Sequence, residues 1–336
     1  MTRTLLIGTR ASALASTQTG MVRDALVDNG ATADLHFVHT PGDASQKAQT
    51  PVSRIGVGVF TETLRNALAA GECDVAVHSF KDLPTAPDPR FIAVVPPRVD
   101  PREVLVSHGN LTLRELPTGA KIGTGAPRRV SQIRAVRPDV ECISIRGNID
   151  TRMGRAGDGT TSTVVEGGPG DLAAVVLARA GLERVGHLDH AAETVAVTDI
   201  MPAPAQGALC VEVRADDAEA VAAVLGLDDP ASHARAVAER GVLATLEAGC
   251  TAPVGAYSEF GTAEDAAILT LQAGAFALDG STRVVREASV TIDLSDVGAD
   301  PLHPRWRDAA RELGRTVGQK LLDAGAAEVI AASVPE

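Results

Sequence analysis

The sequence predicts an α/β protein of two similar doubly wound lobes followed by a small C-terminal α+β domain. Three observations carry this. A strand, a Gly-Thr turn and a helix start occur twice, at Ile7-Gly8-Thr9 and at Ile122-Gly123-Thr124, and further strands follow in the same order each time. Two Pro-rich segments, 96–102 (PPRVDPR) and 200–207 (IMPAPAQG), read as stiff crossings between the lobes. From about residue 230 a long helical pattern gives way to alternating strands around an Asp279-Gly280 turn.

Residues 4–8 (TLLIG) read as an apolar strand, Thr9 to Ser12 as a loop and 13–28 as a helix. Free N–H groups at such a helix start attract anions, and Arg10 and Ser12 add side-chain donors. Residues 35–39 (LHFVH) read as a second strand, ending in Thr40-Pro41-Gly42-Asp43. Residues 59–70 place Phe60, Leu64, Ala67 and Leu68 at helical spacing, with Gly71 as C-cap. Residues 73–84 (CDVAVHSFKDLP) open as a continuous apolar run, which suits a strand covered on both faces. Polarity then switches on at His78, Ser79, Lys81 and Asp82, and Pro84 ends the run. In open α/β sheets ligands sit at the carboxyl ends of strands. A Ser, a Lys and an Asp therefore stand at the mouth of a candidate site.

The second lobe repeats this order. Lys121 to Thr124 form a strand and turn, and Arg128 and Arg129 open a helix. Residues 140–145 (VECISI) are a strand ending in Arg146-Gly147-Asn148, and 171–178 (DLAAVVLA) a third strand. The Gly- and Thr-rich segment 155–170 reads as a mobile surface insertion. After the second crossing, 208–213 (ALCVEV) is again a strand, so the chain returns to the first lobe. The expected domains are 1–97 with 200–215, then 98–199, then 216–336. The last contains a helix over 230–247, strands over 254–260, 267–278 and 282–293, and a closing helix over 303–325.

Composition narrows the function. The chain has 336 residues, 45% of them apolar, enough for two or three domains with sizeable cores. A formal net charge of −12 with only 2% aromatics argues against a nucleic-acid or membrane-surface binder. No stretch has the apolar length of a membrane span, and the N-terminal apolar run is too short for a signal peptide, so a cytoplasmic protein is expected. Cys73, Cys142, Cys210 and Cys250 are widely spaced, with no metal-type pairing, and read as reduced thiols.

Within this acidic chain, Arg10, Arg128, Arg129, Arg146, Arg152 and Arg184 fall mostly after strands or at helix starts. Arg binds carboxylates through paired planar hydrogen bonds, so the set points to a substrate with several carboxylates. Cys250 differs from the other cysteines: it sits between Gly249 and Thr251 in a connecting loop, where a thiolate could hold a covalent group. Asp82 has no His or second acid beside it. It reads either as an ion-pair partner of Lys81 or as a proton donor that also stabilises a developing cation.

The stretches GTRASALA, VHSFKDLP, GTGAPRR, RGNIDTR, PAPAQGAL and EAGCTAPVGAY together resemble the hydroxymethylbilane synthase (porphobilinogen deaminase) family over essentially the whole chain. The resemblance implies lobes similar to those of type II periplasmic binding proteins and a third domain carrying the cofactor. It implies a transferase of tetrapyrrole biosynthesis. Four porphobilinogen molecules are joined head to tail with loss of ammonia, giving the linear tetrapyrrole hydroxymethylbilane. It implies a dipyrromethane cofactor in thioether linkage to Cys250, Asp82 as the catalytic carboxylate, and no metal. Ser79, Lys81, Thr124, Arg128, Arg129, Arg146 and Gln206 would bind the cofactor, and Arg10, Ser12, Arg152 and Arg184 the substrate. A cytoplasmic monomer whose partner is the small molecule porphobilinogen completes the expectation. Three features depart from the family pattern: Gly125-Ala126 replaces a common Ser-Ser, Val57 stands where Lys is common, and the 155–170 segment is long and Gly-rich. The competing class, a solute-binding protein for a dicarboxylate, gives no role to the third domain or to Cys250.

Overall fold

The structure, a computed structural model, describes residues 3–38, 59–158, 163–164, 168–249, 251–263, 266–296, 300 and 302–333. Residues 40–43, Val57, the Phe60 side chain, Cys250 and the middle of the 155–170 segment lie outside the described residues.

In the first lobe β1 (Thr4–Thr9), α1 (Ala13–Asp28) and β2 (Thr32–Phe37) are followed by α2 (Val59–Ala70), β3 (Val75–Ser79) and β4 (Phe91–Val94). The second lobe contains β5 (Glu103–Ser107), β6 (Lys121–Gly123), α3 (Pro127–Val136) and β7 (Glu141–Ile143). It continues with α4 (Ile149–Met153), β8 (Ala174–Ala178), α5 (Arg179–Arg184) and β9 (Glu193–Thr194). The chain then re-enters the first lobe as β10 (Leu209–Arg214). The two sheets have matching orders, β2-β1-β3-β10-β4 and β7-β6-β8-β5-β9. In each, the first three strands are parallel and the fourth is antiparallel to the third. Each Pro-rich crossing delivers the antiparallel strand of the lobe it enters.

Both sheets are covered on both faces, which is why their strands read as continuous apolar runs. Along β3, Val75 and Val77 join the core under α1, while Ala76 joins Leu64, Ala67 and Leu68 of α2 on the opposite face. Along β5, Leu105 faces one core of the second lobe and Val104 and Val106 the other. His78 belongs to β3 rather than to a polar loop after it. It is buried, with Nε2 at 3.2 Å from Glu212 Oε2, and Arg65 Nε donates to the same oxygen at 2.9 Å. Strand β2 begins at Thr32, ahead of the expected 35–39, because it pairs with β1 from Thr4 onward. Strand β8 begins only at Ala174, because Asp171 is engaged by Arg155 and Leu172 bridges to Ala156.

The C-terminal domain follows α6 (Ala218–Leu225). Helix α7 (Pro230–Thr245) leads into an antiparallel sheet of β11 (Val254–Ala263), β12 (Ala266–Phe276) and β13 (Arg283–Ile292), and α8 (Arg305–Leu322) and α9 (Ala326–Ala331) close the chain. Helices α7 and α8 approach so closely that a Cβ on Gly314 would lie 2.3 Å from the Ala238 carbonyl oxygen. Their Ala and Leu faces share one core with the sheet.

All three parts meet at Glu239 on α7. Arg98 of the first crossing donates to its two oxygens at 2.8 and 2.9 Å, and both side chains are 0% exposed. The Ala205 amide of the second crossing donates at 2.7 Å, and Ser258 Oγ of β11 at 2.6 Å. The crossings themselves touch at Gly207, where φ is 87° and a Cβ would sit 2.6 Å from the Val99 carbonyl oxygen. Only glycine meets both conditions.

Candidate active site

The carboxyl ends of the parallel strands face a cleft of about 900 Å³, walled by both lobes, the second crossing and residues of the C-terminal domain. At the end of β1, Arg10 and Ser12 line it. Ser12 caps α1, its Oγ accepting from the Ala15 amide at 3.4 Å, which leaves its own hydroxyl proton to donate into the cleft.

At the end of β3, Gln18 Nε2 donates to Ser79 Oγ at 3.1 Å. The chain then turns through a 3₁₀ segment, Phe80–Asp82, that presents Lys81 and Asp82 to the cleft. Lys81 Nζ donates to Gln206 Oε1 at 3.2 Å. Burial pushes the Lys81 ammonium below its ordinary value, with Asp82 opposing the fall. The Asp82 carboxylate is exposed, and among the described residues it makes no side-chain hydrogen bond or ion pair. A carboxylate left unpaired beside a cation is available to a ligand.

In the second lobe, α3 brings Arg128 and Arg129 into the wall, 4% and 5% exposed. Both bind Glu103 of β5, which is 0% exposed; Arg129 Nη2 donates to Glu103 Oε2 at 2.8 Å and Arg128 Nη2 to Oε1. Burial by itself would raise the Glu103 carboxyl, but Arg129 and Arg128 outweigh it and bring it down to about 2. Burial also lowers the Arg128 guanidinium. Arg129 Nε is buried without a partner among the described residues. Thr124 does not line the cleft; it is buried behind it, its Oγ1 accepting from the Ala126 amide at 3.4 Å.

Arg146 is exposed and makes no side-chain bond among the described residues. Arg152 Nε donates to the Gly147 carbonyl at 2.8 Å, and burial lowers its guanidinium. Arg184 Nη2 donates to the Gly207 carbonyl at 2.6 Å; burial lowers it to about 10, and its Nε has no partner among the described residues. Gln206 is 1% exposed and both ends of its amide are used, since Nε2 donates to the Pro101 carbonyl at 2.7 Å. It ties Lys81 to the first crossing.

Seven cationic side chains (Arg10, Lys81, Arg128, Arg129, Arg146, Arg152 and Arg184) and two carboxylates (Asp82 and Asp150) thus line one cleft of a chain whose net charge is −12. Such a wall binds a ligand with several carboxylates. Cys250 lies outside the described residues, but its neighbours Gly249 and Thr251 line the same cleft. Gly125 also lines it, and a Cβ there would lie 2.7 Å from the Ile145 carbonyl oxygen. Three residues that build the site were not singled out from the sequence: Glu103, Gln18 and Arg240. Glu103 opens the apolar run of β5, and a charge at such a position is the one local signal of a buried pair; Arg240 carries no such signal.

Residues 5–222 match the family model described as porphobilinogen deaminase, dipyromethane cofactor binding domain, and residues 233–323 match the one described as porphobilinogen deaminase, C-terminal domain. A curated porphobilinogen deaminase of Corynebacterium glutamicum (strain R) is 54% identical over 97% of this chain and 98% of its own. That of Mycobacterium tuberculosis (strain ATCC 25177 / H37Ra) is 46% identical over 96% of this chain and 97% of its own. Among solved structures, the ligand-binding component of an ABC-type import system from Staphylococcus aureus covers 71% of this chain and 73% of its own, at 11% identity and a TM-score of 0.34.

Proposed function

The chain belongs to the porphobilinogen deaminase family, and from that premise we infer how its own residues carry the family's reaction. The activity is that of a transferase: four porphobilinogen molecules condense head to tail, each losing ammonia, to give hydroxymethylbilane. The family's cofactor is dipyrromethane, which supplies the pyrrole carbon to which the first substrate unit is joined.

The residues present fit that group. Its acidic side chains need several cationic donors, and the wall offers seven, with Arg129 Nε and Arg184 Nε unpartnered among the described residues. In this reading Cys250 holds the cofactor through its sulfur. Ser79, Lys81, Arg128, Arg129, Arg146 and Gln206 hold its carboxylates, with Thr124 supporting the Arg128 helix from behind. Arg10, Ser12, Arg152 and Arg184 hold the incoming substrate. Loss of ammonia from the substrate leaves a cationic azafulvene, and pyrrole nitrogen gains positive character as the new bond forms. Asp82, unpaired among the described residues, would stabilise both charges. It would give the proton that leaves with ammonia and take up the one that the pyrrole carbon loses as the new bond is completed. The Arg wall fixes the pyrrole side chains so that the reacting carbons meet in one orientation.

The domain division follows the same reading: 1–97 with 200–215 carries the Asp82 loop, 98–199 the Arg wall and 216–336 the cofactor cysteine, although α6 at the start of the last segment packs into the core of the first lobe through Ala220 and Val224. No helix among the described residues is long and apolar enough to cross a membrane. The reading is of a cytoplasmic monomer acting on the small molecule porphobilinogen; sedimentation of the purified chain checks the monomer. The observation that carries the reading is the excess of cations around an exposed Asp82 that is unpaired among the described residues. Its test is the intact mass of the purified protein. The mass should exceed that of the sequence by one dipyrromethane, and Cys250→Ser should abolish the excess together with activity. An unmodified, fully active chain would overturn the reading.

A further inference from the structure

The 3₁₀ turn that carries Lys81 and Asp82 is held from the C-terminal domain by one side chain. Arg240 of α7 donates through Nη1 to the Phe80 carbonyl at 2.9 Å and to the Leu83 carbonyl at 3.1 Å, and through Nη2 to the Pro84 carbonyl. Its guanidinium lies over the Phe80 ring, 4.6 Å from the centroid. The side chain is 8% exposed, and no carboxylate pairs with it among the described residues. The three carbonyls bracket Lys81 and Asp82. The Phe80 carbonyl also accepts from the Leu83 amide at 3.3 Å, so Arg240 reinforces the bond that closes the turn and adds the Leu83 and Pro84 carbonyls beyond it; a guanidinium fork spans the three carbonyls better than an ammonium would.

Helix α7 therefore does two things in consecutive residues. Glu239 gathers the crossings, and Arg240 fixes the backbone on both sides of Asp82. In the sequence Cys250 stands five residues after the end of this helix, and its neighbours Gly249 and Thr251 line the cleft that the Asp82 loop also lines.

We propose that Arg240 is a positioning residue that acts through Asp82, setting the distance between that carboxylate and the pyrrole chain held on the C-terminal domain. The proposal rests on the reading of Asp82 as the catalytic carboxylate. A purely structural Arg240 would lower the folded or cofactor-loaded fraction and leave each loaded molecule at its normal rate. A positioning Arg240 lowers kcat of loaded molecules, because a displacement of about 1 Å at a reacting group costs up to about a hundredfold.

The test uses the full-length, cofactor-loaded protein with Arg240→Gln and Arg240→Lys, alone and combined with Asp82→Glu. Cofactor occupancy is read by intact mass, folding by thermal melt, and kcat and KM separately. For Arg240→Gln the expected result is a fall in kcat of about tenfold or more per loaded molecule, with KM changed by less than about twofold. Arg240→Lys, which keeps the charge but not the fork, should be impaired as well and guards against a Gln variant that does not fold. In the Asp82→Glu background the Arg240→Gln loss should shrink to less than about threefold, since two residues acting through one carboxylate are not additive. Parental kcat per loaded molecule in both Arg240 variants, or losses that multiply in full, would overturn the proposal while leaving Asp82 in place. An Asp82→Asn enzyme running at the parent rate would overturn the Asp82 reading itself and this proposal with it.

Discussion

Glu103 Oε2 accepts from Arg129 Nη2 at 2.8 Å with both side chains almost wholly removed from water, and Arg128 binds the other oxygen of the same carboxylate. One carboxylate between two guanidiniums leaves one positive charge in excess inside the cleft wall. A bound carboxylate would neutralise it, so the wall is complete only with ligand present. In the proposed reading, this buried triad is what favours an acidic ligand.

That triad makes stability depend on acid. The folded-state value of Glu103, about 2, lies below its ordinary 4.5, so the unfolded chain binds more protons across this interval. Its contribution is intact above about pH 4.5 and is lost as pH falls toward 2, an amount of about 3 kcal/mol. Glu212, also brought down to about 2 by Arg65 and His78 against the effect of burial, adds a second loss over the same range. Glu103→Gln should lower stability at pH 7 by on the order of 3–5 kcal/mol, because two buried like charges lose their counter-ion. It should also flatten the loss between pH 4.5 and pH 2 without abolishing it. Denaturant midpoints at several pH values measure both effects.

Two arginines of the wall should part company on substitution. Arg146 is exposed and engages nothing among the described residues, so Arg146→Ala should leave the melting temperature nearly unchanged and raise KM. Arg128→Met removes one of two cations from a shared carboxylate and leaves the Glu103–Arg129 pair neutral. It should cost less stability than Glu103→Gln while impairing cofactor loading or substrate use. Melts, occupancy by mass and steady-state kinetics on both variants would show it, and an Arg146→Ala enzyme that melted far below the parent would contradict the placement.

The Gly125-Ala126 pair, a departure from the family's common Ser-Ser, makes two opposite predictions. Ala126 is the N-cap of α3 and offers no side-chain cap. Ala126→Ser supplies an oxygen for the Arg128 amide and should stabilise the protein by about 0.5–2 kcal/mol. Gly125→Ser drives a Cβ to 2.7 Å from the Ile145 carbonyl oxygen. The backbone must give, at a cost of roughly 1–3 kcal/mol, and the shift passes to the adjacent Arg146. Chemical denaturation of the two single variants should move in opposite directions, with activity reduced in Gly125→Ser.

Much of this architecture was legible because local signals agreed with the global fold. The two Gly-Thr turns, the Pro-rich crossings and the apolar run before His78 each had a physical reason to be where they are, and the lobes follow from them. What the sequence concealed was pairing at a distance. Strand β5 lay in the EVLVS run directly after a Pro-rich crossing, and nothing local shows that its Glu103 meets α3 across β8. His78 read as the first polar residue of a loop because its partner, Glu212, stands on a strand that arrives only after the second crossing. Ser79, Lys81 and Asp82 were found because polarity breaks sharply after an apolar strand. Arg240 was not, because one Arg in an Ala- and Val-rich helix looks like surface until the fold brings the Phe80, Leu83 and Pro84 carbonyls within its reach.

Asp82 gives the sharpest prediction. The structural alternative has it hold Lys81, but Lys81 Nζ is bonded to Gln206, and Asp82 is exposed with no ion pair among the described residues. Asp82→Asn keeps size and most hydrogen-bonding capacity while removing the charge. It should fold within about 0.5 kcal/mol of the parent, as exposed substitutions do, and be almost inactive. Asp82→Glu keeps the charge and moves it by about one carbon–carbon bond. Misplacement of about 1 Å can cost on the order of a hundredfold in rate, so this variant should be slow, and intact mass should show species heavier by successive pyrrole units. If Asp82 were structural, both variants would lose stability and residual activity would track the folded fraction. Thermal melts beside single-turnover rates separate the two cases. The charge-specific case requires a normal melt with a lost rate in Asp82→Asn, since no packing or hydrogen-bonding role distinguishes the amide from the acid as strongly as a cation facing it does.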